Sequence, residues 1–270
     1  MTLGEALAVA RQRIDRLDAR LLLQYATGCS HTDLLARPET PLIAPASAQF
    51  SEWVERRAAG EPLAYLVGEA EFRGHVFQVS PAVLIPRPET EVLIDLALEK
   101  LRGLRAPRVL DLGTGSGIVA ISLALECPAA AVVAVDISPA AVAVACNNAG
   151  RLGAAVDFRT SDWYENLAGE PFDLIVSNPP YVADGDPHLA LDGLPFEPQF
   201  ALTDGADGLD CIRRIVAGAP AHLNPGGWLL FEHGYDQGVA SRNLLAAAGF
   251  KQPFTHPDLA GTDRVSGAHL

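Results

Sequence analysis

A glycine-rich segment near the middle of the chain has the residue types and spacing of a ligand-binding turn. Asp111-Leu112-Gly113-Thr114-Gly115-Ser116-Gly117 follows a predicted strand and precedes a predicted helix, which is the context that nucleotide-binding turns require. Glycine lets the backbone approach a ligand where a Cβ atom would collide with it. The pattern is G-x-G-x-G, because Ile118 stands where a dinucleotide fingerprint has its third glycine, and no Gly-Lys-Ser/Thr follows. The turn therefore favours a phosphate-free nucleoside over NAD or ATP.

An acidic residue ends the next predicted strand. Asp136 comes 23 residues after Gly113, a position from which a carboxylate can accept hydrogen bonds from both hydroxyls of a ribose. The alternative role, as the cap of the helix that starts near Pro139, is better filled by Ser138. The glycine turn and Asp136 together resemble the class I S-adenosylmethionine-dependent methyltransferases. In such an enzyme Trp163, after the third predicted strand, would offer a flat apolar surface to the adenine, although a place in the core is the alternative.

The tetrapeptide Asn178-Pro179-Pro180-Tyr181 directly follows a fourth predicted strand. In open α/β sheets ligands bind beyond the carboxyl ends of the strands, and two consecutive prolines stiffen this segment and remove two backbone donors. An amide or exocyclic amine nitrogen is a poor nucleophile because its lone pair is delocalised. The Asn178 side-chain oxygen and the Pro179 carbonyl can accept its two N–H groups and aim the lone pair at a sulfonium methyl, while Tyr181 stacks on the planar group. In a methyltransferase sheet, the tetrapeptide indicates methylation of a planar nitrogen without a strong general base.

Further short motifs are spread from about residue 5 to residue 270. They are Tyr65-Leu66-Val67-Gly68, Phe72-Arg73-Gly74, Val83-Leu84-Ile85-Pro86-Arg87-Pro88-Glu89-Thr90-Glu91, Ser161-Asp162-Trp163, Phe196-Glu197-Pro198, Asp207-Gly208-Leu209, Gly226-Gly227-Trp228 and Asp263-Arg264-Val265. Together with the glycine turn and the tetrapeptide, they resemble the peptide chain release factor glutamine N5-methyltransferases over the whole chain. One loop departs from that family, because Thr203-Asp204 stands where its members commonly carry an apolar residue and a glycine.

The resemblance implies methyl transfer from S-adenosyl-L-methionine to the side-chain amide nitrogen (N5) of the glutamine in the Gly-Gly-Gln motif of bacterial class 1 release factors, with S-adenosyl-L-homocysteine as product. The implied cofactor contacts are Gly113, Thr114, Gly115, Ser116, Gly117, Asp136, Trp163 and Asn178. The implied substrate contacts are Asn178, Pro179, Pro180, Tyr181, Arg87 and Glu89, of which Asn178, Pro179 and Tyr181 would be catalytic. For Arg87 and Glu89, a role in interdomain structure is the alternative to a pocket wall.

Other functions remain open, because the tetrapeptide suits any planar amine. A ribosomal-protein glutamine methyltransferase and a DNA adenine-N6 methyltransferase are the enzymatic alternatives. The net charge of −13 argues against nucleic acid, since the chain from Val109 onward carries 7 basic and 19 acidic residues and repels a polyanion. A binding module without chemistry would predict a broken tetrapeptide or a missing ribose acid, and both are intact. The acidic half is instead compatible with a docked basic protein loop.

Neither a metal site nor a membrane segment is indicated. The 4 cysteines include no C-x-x-C pair and the histidines show no metal-ligand spacing, so we expect reduced thiols and no metal. No apolar stretch reaches 18 residues and no basic-led apolar run opens the chain, which predicts a soluble cytoplasmic protein without a membrane partner.

The elements that must position these residues predict an α/β protein. Residues 1–70 read as helical, from a 3.6-residue period at Leu3, Ala6, Leu7, Ile14, Leu17, Leu21 and Leu22. From Arg108 onward strands alternate with helices, which predicts a parallel sheet covered on both faces. A further helix is predicted to start at Thr90, before this sheet, with Thr90 as its N-terminal cap. With the resemblance, the expected architecture is an N-terminal helical substrate-recognition domain (1–70), a β-hairpin linker (71–86) and a Rossmann-like, seven-stranded S-adenosylmethionine-dependent methyltransferase domain (87–270).

Overall fold

A set of short helices and a seven-stranded sheet lie in two separate units of the protein. The computed structural model describes residues 1–167, 169–191 and 193–270. One unit consists of Met1–Glu69 and Ala190–Phe196, and the other of Ala70–Leu189 and Glu197–Leu270. Since Ala190–Phe196 falls inside the predicted methyltransferase domain, the domain boundaries taken from the sequence stay a prediction.

The small unit is helical in the part that the structure describes. Its α-helices are α1 (Leu3–Ala10), α2 (Arg16–Thr27), α3 (His31–Ala36), α4 (Ala44–Ala58) and α5 (Leu63–Val67). At the start of α1 the Thr2 hydroxyl accepts from the Glu5 N–H and the Glu5 carboxylate accepts from the Thr2 N–H, a capping box. Leu3, Leu7 and Leu22 are buried in the core, as the period predicts. The prediction for Leu17 is wrong, because α2 buries its other face and leaves this side chain 49% exposed.

A β-hairpin follows, formed by β1 (Glu69–Phe72) and β2 (His75–Gln78). Its two turn residues, Arg73 and Gly74, have φ values of 49° and 73°, as the tightest hairpin turns require. Arg73 is not glycine, and its guanidinium is held by Glu126 and Asp95 at 2.8 Å each. These bonds support a backbone conformation that non-glycine residues seldom adopt. The hairpin predicted between Phe72 and Val79 is confirmed, with its first strand starting earlier, at Glu69.

The large unit is built on a mixed sheet of seven strands, which are β3 (Arg108–Leu112), β4 (Ala131–Asp136), β5 (Val156–Thr160), β6 (Phe172–Ser177), β7 (Leu223–Glu232), β8 (Lys251–Pro257) and β9 (Asp263–His269). Their order in the sheet is β5-β4-β3-β6-β7-β9-β8. The prediction of a parallel sheet holds for β3 to β7, which pair in parallel. It is wrong for the last two strands, because β9 returns antiparallel to β7 and β8 pairs antiparallel with β9.

Helices cover both faces of this sheet. They are α6 (Thr90–Leu101), α7 (Ile118–Glu126), α8 (Pro139–Leu152), α9 (Asp210–Gly218) and α10 (Gly238–Ala247). Because side chains alternate along a strand, Val109 packs with the core beneath α6 and α7, and Leu110 packs with the core beneath α9 and α10. Ser138 caps α8 as predicted, its hydroxyl accepting from the Ala141 N–H.

Strand order brings the polar segments to one edge of the sheet. The central strand β3 has β4 on one side and β6 on the other, so the chain reverses its direction of winding there, at the point where α/β sheets open a ligand crevice. The glycine turn follows β3, Asp136 ends β4, the tetrapeptide follows β6 and Glu232 ends β7. These parallel strands point the same way, so all four groups meet at their carboxyl ends.

Candidate active site

A cavity of about 320 Å³ opens at this edge of the large unit. The predicted site residues that line it are Gly113, Thr114, Gly115, Ser116, Asp136, Trp163, Asn178, Pro180 and Arg87. The predicted residues that do not line it are Gly117, Pro179, Tyr181 and Glu89, each within two residues of one that does. The fold thus gathers segments from residues 82–87, 111–119, 136–141, 161–163, 178–180 and 200–214 around one space.

The glycine turn needs glycine for two different reasons. Gly113 and Gly115 line the cavity with φ values of 74° and 55°, and a Cβ on Gly115 would meet no atom of the described residues within 4 Å, so the backbone is exposed to whatever fills the space. Gly117 (φ 87°) is required by helix packing, because a Cβ atom at this position would lie 2.8 Å from Ile121 and 3.1 Å from Ala145. Its role is to let α7 start close to α8.

Asn148 of α8 holds the turn from behind. This fully buried amide donates to the Ser116 carbonyl at 2.9 Å and to the Gln78 carbonyl at 3.0 Å, and it accepts from the Gln78 N–H at 2.7 Å. The hairpin strand β2 is thereby bonded to the same side chain as the glycine turn. Nothing in the sequence pattern singled out Asn148, since its partners lie far away along the chain.

Asp136 is held as a hydrogen-bond acceptor beside the turn. Its two carboxylate oxygens accept from the N–H groups of Gly115 and Ser138, each at 2.9 Å. Burial raises the pKa of Asp136, and these backbone donors act against the rise. A carboxylate oxygen can accept a second hydrogen bond, so Asp136 retains capacity for two hydroxyl donors in the cavity that it lines.

Asp111, the acid at the start of the glycine motif, also lines the cavity. It is 1% exposed, and the Thr114 hydroxyl donates to its carboxylate at 2.7 Å. Burial raises the pKa of Asp111 to about 7, while the hydrogen bonds from Thr114 and the Ala120 N–H lower it. A separate role for Asp111 could not be predicted from the glycine motif, because that motif indicates contacts made by the backbone of the glycines and not by the acid that precedes them.

Replacing Asp111 by asparagine should make stability less sensitive to pH. The unfolded carboxyl loses its proton near pH 4, but the folded one keeps it to about pH 7. The folded state therefore binds more protons between these values, and its stability falls as pH rises through them. About 3 pKa units at ~1.4 kcal/mol each set an upper bound of ~4 kcal/mol. Urea unfolding at pH 5 and pH 8 measures this: the free energy of unfolding of Asp111→Asn, relative to that of the wild type, should be higher at pH 8 than at pH 5. The same relative value at both pH values, or an equal increase in the control Asp236→Asn, would contradict this.

Trp163 combines the two roles left open by the sequence. It lines the cavity and also packs against the core beneath α9 and α10. Its φ of 47° is supported by Ser161, whose hydroxyl donates to the Trp163 carbonyl at 3.0 Å. The Arg214 guanidinium lies 6.0 Å from the centroid of the Trp163 ring and forms an ion pair with Asp162 at 2.8 Å. The indole is thus held in place at the cavity wall.

The tetrapeptide after β6 is bonded through its side chains to two other elements. Asn178 Nδ2 donates to the Thr90 hydroxyl at 3.0 Å, and the Tyr181 hydroxyl donates to Glu232 Oε1 at 3.0 Å. Burial, together with the neighbouring Glu232 carboxylate, raises the pKa of Tyr181, so this phenol keeps its proton. Gln237 Nε2 holds the Tyr181 carbonyl at 2.9 Å. Asn178 lines the cavity, while Tyr181, the last residue of the tetrapeptide, is anchored by Glu232 and Gln237.

The prediction that Thr90 caps its helix is wrong. The cap of α6 is Glu89, which makes no side-chain capping bond, and Thr90 is the first helical residue. The Thr90 hydroxyl instead donates to Glu232 Oε2 at 2.8 Å. Burial raises the pKa of Glu232, whereas the hydrogen bonds from Thr90 and Tyr181 and the charge of Arg264 lower it. The partner of Thr90 comes from β7, beyond the reach of any local capping rule.

Arg87 lines the cavity and is fixed by an acid that sequence reasoning did not place in the site. Glu197, whose side chain is 2% exposed, binds the Arg87 guanidinium at 2.5 Å and accepts from the Ile85 N–H at 3.0 Å. This pair fastens the segment before α6 to the loop after residue 196. Glu89, the other residue predicted with Arg87, lies outside the cavity lining.

The loop that departs from the family pattern is organised by Asp204. Its carboxylate accepts from the N–H groups of Ala206 (2.8 Å), Gly208 (3.0 Å) and Asp210 (2.7 Å). These three bonds tie the Asp204 carboxylate to the backbone that leads into α9. Thr203 and Asp204 both line the cavity.

Within residues 1–167, 169–191 and 193–270, no group of three or more His, Cys, Asp or Glu side chains could hold a metal ion. None of the helices described for the chain is long and apolar enough to cross a membrane.

Known proteins resemble this chain over nearly its whole length. The model of the PrmC N-terminal domain matches residues 3–68, and that of the methyltransferase small domain matches residues 90–192. A release factor glutamine methyltransferase from Bordetella pertussis is 52% identical, over 95% of this chain and 96% of that protein. The one from Xylella fastidiosa (strain Temecula1) is 51% identical (96% and 95%), and the one from Neisseria gonorrhoeae is 47% identical (98% and 97%).

Solved structures share the fold. A T. thermophilus 16S rRNA N2 G1207 methyltransferase, in complex with AdoMet and guanosine, is 26% identical over 74% of this chain and 49% of that chain, with a TM-score of 0.56. The hMettl16 catalytic domain is 13% identical over 93% of this chain and 90% of that chain, with a TM-score of 0.59, which shows the fold alone. The predicted Rossmann-like methyltransferase fold is thereby confirmed. Because full-length relatives share about half of its residues, this chain belongs to the release factor glutamine methyltransferase family, whose members are S-adenosyl-L-methionine-dependent enzymes.

Proposed function

We propose that the protein methylates the side-chain amide nitrogen (N5) of the glutamine in the Gly-Gly-Gln motif of bacterial class 1 release factors, with S-adenosyl-L-methionine as donor. The observation that carries the proposal is the orientation of Asn178, whose Nδ2 is bonded to Thr90. Asn178 lines the cavity that begins at the glycine turn, and Oδ1, the only acceptor of its amide, is the atom that can accept from a substrate there. An amide substrate needs such an acceptor, because its nitrogen must be held by its own N–H groups while it attacks.

The cavity fits S-adenosyl-L-methionine. The backbone at Gly113 and Gly115 has no Cβ between it and the space, and Asp136 offers two acceptors that suit the hydroxyls of a ribose. The residues that would hold the cofactor are Gly113, Thr114, Gly115, Ser116, Asp136, Trp163 and Asn178, with Gly117 shaping the turn from outside the cavity. When bound, this cofactor supplies an electrophilic methyl group on a sulfonium.

The chain's own groups position the substrate nitrogen. Asn178 Oδ1 and the Pro179 carbonyl would accept its two N–H groups, and the anchored Tyr181 would stack on the planar amide. Alignment of this kind is worth up to about 7–11 kcal/mol in favourable cases. With the cofactor bound, the positioned nitrogen would take the methyl group as the bond between that methyl and sulfur breaks, and it would lose one proton to solvent once the new C–N bond has made that proton acidic. No side chain has to act as a strong base, and the products are N5-methylglutamine and S-adenosyl-L-homocysteine.

The release factor would be recognised by more than its glutamine. We propose that the helical small unit contributes to this recognition and that Arg87, held by Glu197, forms part of the substrate side of the cavity; Glu89, outside the lining, suits a structural role. The excess of acidic residues after Val109 favours a basic protein loop over a nucleic acid as partner. We expect the enzyme to act in the cytoplasm, where translation is terminated, without a nucleic-acid or membrane partner.

A labelling experiment tests this function. The protein is incubated with radiolabelled S-adenosyl-L-methionine and one of three acceptors: a class 1 release factor, the same factor with its Gly-Gly-Gln glutamine changed to alanine, or duplex DNA. Label is expected on the unchanged factor alone. Equal label on the alanine variant, or label on DNA, would contradict the proposal, and preferential label on a ribosomal protein in a fourth reaction would point to that alternative substrate.

A further inference from the structure

A buried carboxylate lies beneath the tetrapeptide and contacts neither the cavity nor solvent. Glu232, at the end of β7, is 1% exposed. Its Oε2 accepts from the Thr90 hydroxyl at 2.8 Å and its Oε1 accepts from the Tyr181 hydroxyl at 3.0 Å. A buried polar group of this kind is costly unless it is hydrogen-bonded. One of its oxygens is thus bonded to Tyr181 of the tetrapeptide, and the other is bonded to Thr90, which in turn accepts from Asn178 of the tetrapeptide.

The direction of these bonds is set by where the protons are. In the structure both carboxyl oxygens of Glu232 act as acceptors: the Thr90 hydroxyl directs its single proton at Oε2, and the Tyr181 hydroxyl donates to Oε1. Thr90 Oγ1 then has only lone pairs to offer to Asn178. The Asn178 amide must therefore turn its NH2 group toward Thr90, as observed at 3.0 Å. The reverse orientation would place two acceptors, Asn178 Oδ1 and Thr90 Oγ1, face to face without a proton between them.

We propose that Glu232, acting through Thr90, is a positioning residue that holds the Asn178 amide with its oxygen available to the substrate nitrogen. The same residue also accepts from the Tyr181 hydroxyl, so one side chain fixes both residues that the proposed function assigns to the glutamine amide. This inference rests on the proposed function, because it concerns the amide that Asn178 accepts. Neither Thr90 nor Glu232 would touch the substrate, and the effect of each would reach it through Asn178 and Tyr181.

The decisive substitution removes the Thr90 hydroxyl and keeps its shape. Thr90→Val should lower kcat for release factor methylation at least about 10-fold, because partners that orient a functional side chain commonly contribute 10–100-fold. KM for the release factor and the dissociation constant of S-adenosyl-L-homocysteine should stay within about threefold. Thr90→Ser, which restores a hydroxyl, should recover most of kcat, and Glu232→Gln, whose NH2 group can donate to Thr90, should lose it. Thr255→Val, which removes a hydroxyl bonded to Ser266 away from the cavity, is the matched control.

A second readout separates this inference from the methylation reaction itself. In ¹⁵N-labelled protein, the Asn178 side-chain amide protons should be protected from hydrogen exchange in the wild type and in Thr90→Ser, and should lose that protection in Thr90→Val. Equal exchange in all three proteins, or equal kcat for Thr90→Val and Thr90→Ser, would overturn the inference. If the wild type labelled no release factor, the proposed function would fail while the exchange result still decided the role of Thr90.

Discussion

Replacing Asn178 by alanine should lower the turnover of release factor methylation at least about 100-fold. The variant loses the side-chain oxygen that would accept an N–H of the substrate amide, and removal of one preorganised polar partner typically costs about 100- to 1,000-fold in kcat. Cofactor affinity should change much less, because Gly113, Gly115 and Asp136 remain in the cavity. Single-turnover methylation, combined with calorimetric titration of S-adenosyl-L-homocysteine, separates the two effects.

The control for this substitution is Asn147→Ala. Asn147 is an exposed asparagine of α8 that pairs with Gln78 and does not line the cavity. It should leave turnover near the wild-type value. Turnover of Asn178→Ala within a few fold of wild type, with cofactor binding intact, would show that another group accepts the substrate amide.

Replacing Asp136 by alanine should weaken cofactor binding at least about 100-fold. Hydrogen bonds to a charged group contribute about 1.5–3 kcal/mol each, and two ribose hydroxyls would lose their acceptor. Each 1.4 kcal/mol is a factor of ten in the dissociation constant. The Gly115 N–H would also lose its partner, which loosens the turn. Calorimetric titration with S-adenosyl-L-homocysteine measures the loss.

Two further variants make the Asp136 result specific. Asp136→Asn keeps one side-chain acceptor without the charge and should fall between alanine and wild type. Asp157→Ala removes an exposed acid from the neighbouring strand β5, outside the cavity, and should bind normally. An unchanged dissociation constant for Asp136→Ala, in a protein that still unfolds cooperatively in urea, would show that Asp136 does not bind the ribose hydroxyls.

The parts of the site that could be predicted are those whose signals are local. The glycine turn and Asp136 each sit at the end of a recognisable strand, and the tetrapeptide is four consecutive residues. Parallel strands bring such ends together by a general rule, so their convergence on one cavity followed without knowledge of packing. The pairing of β9 against β7 could not be predicted in the same way, since its direction depends on how the last strands turn back.

The missed residues share a different property, which is that their partners are distant along the chain. Thr90 resembles a helix cap to any local rule, yet its hydroxyl meets Glu232, 142 residues later. Glu197 meets Arg87 110 residues away, and Asn148 meets Gln78 70 residues away. A hydrogen bond depends on distances of about 3 Å and on angle, and neither is present in a linear pattern.

The sequence by itself determined the chemistry that this protein can perform, because that chemistry depends on residue types in fixed order: a turn without side chains, an acid after the next strand, and an amide stiffened by prolines. Only the tertiary structure decided that Asn178 Nδ2 is bonded to Thr90. That bond belongs to a chain that runs from Glu232 through Thr90, and the packing that buries Thr90 and Glu232 together brings it about.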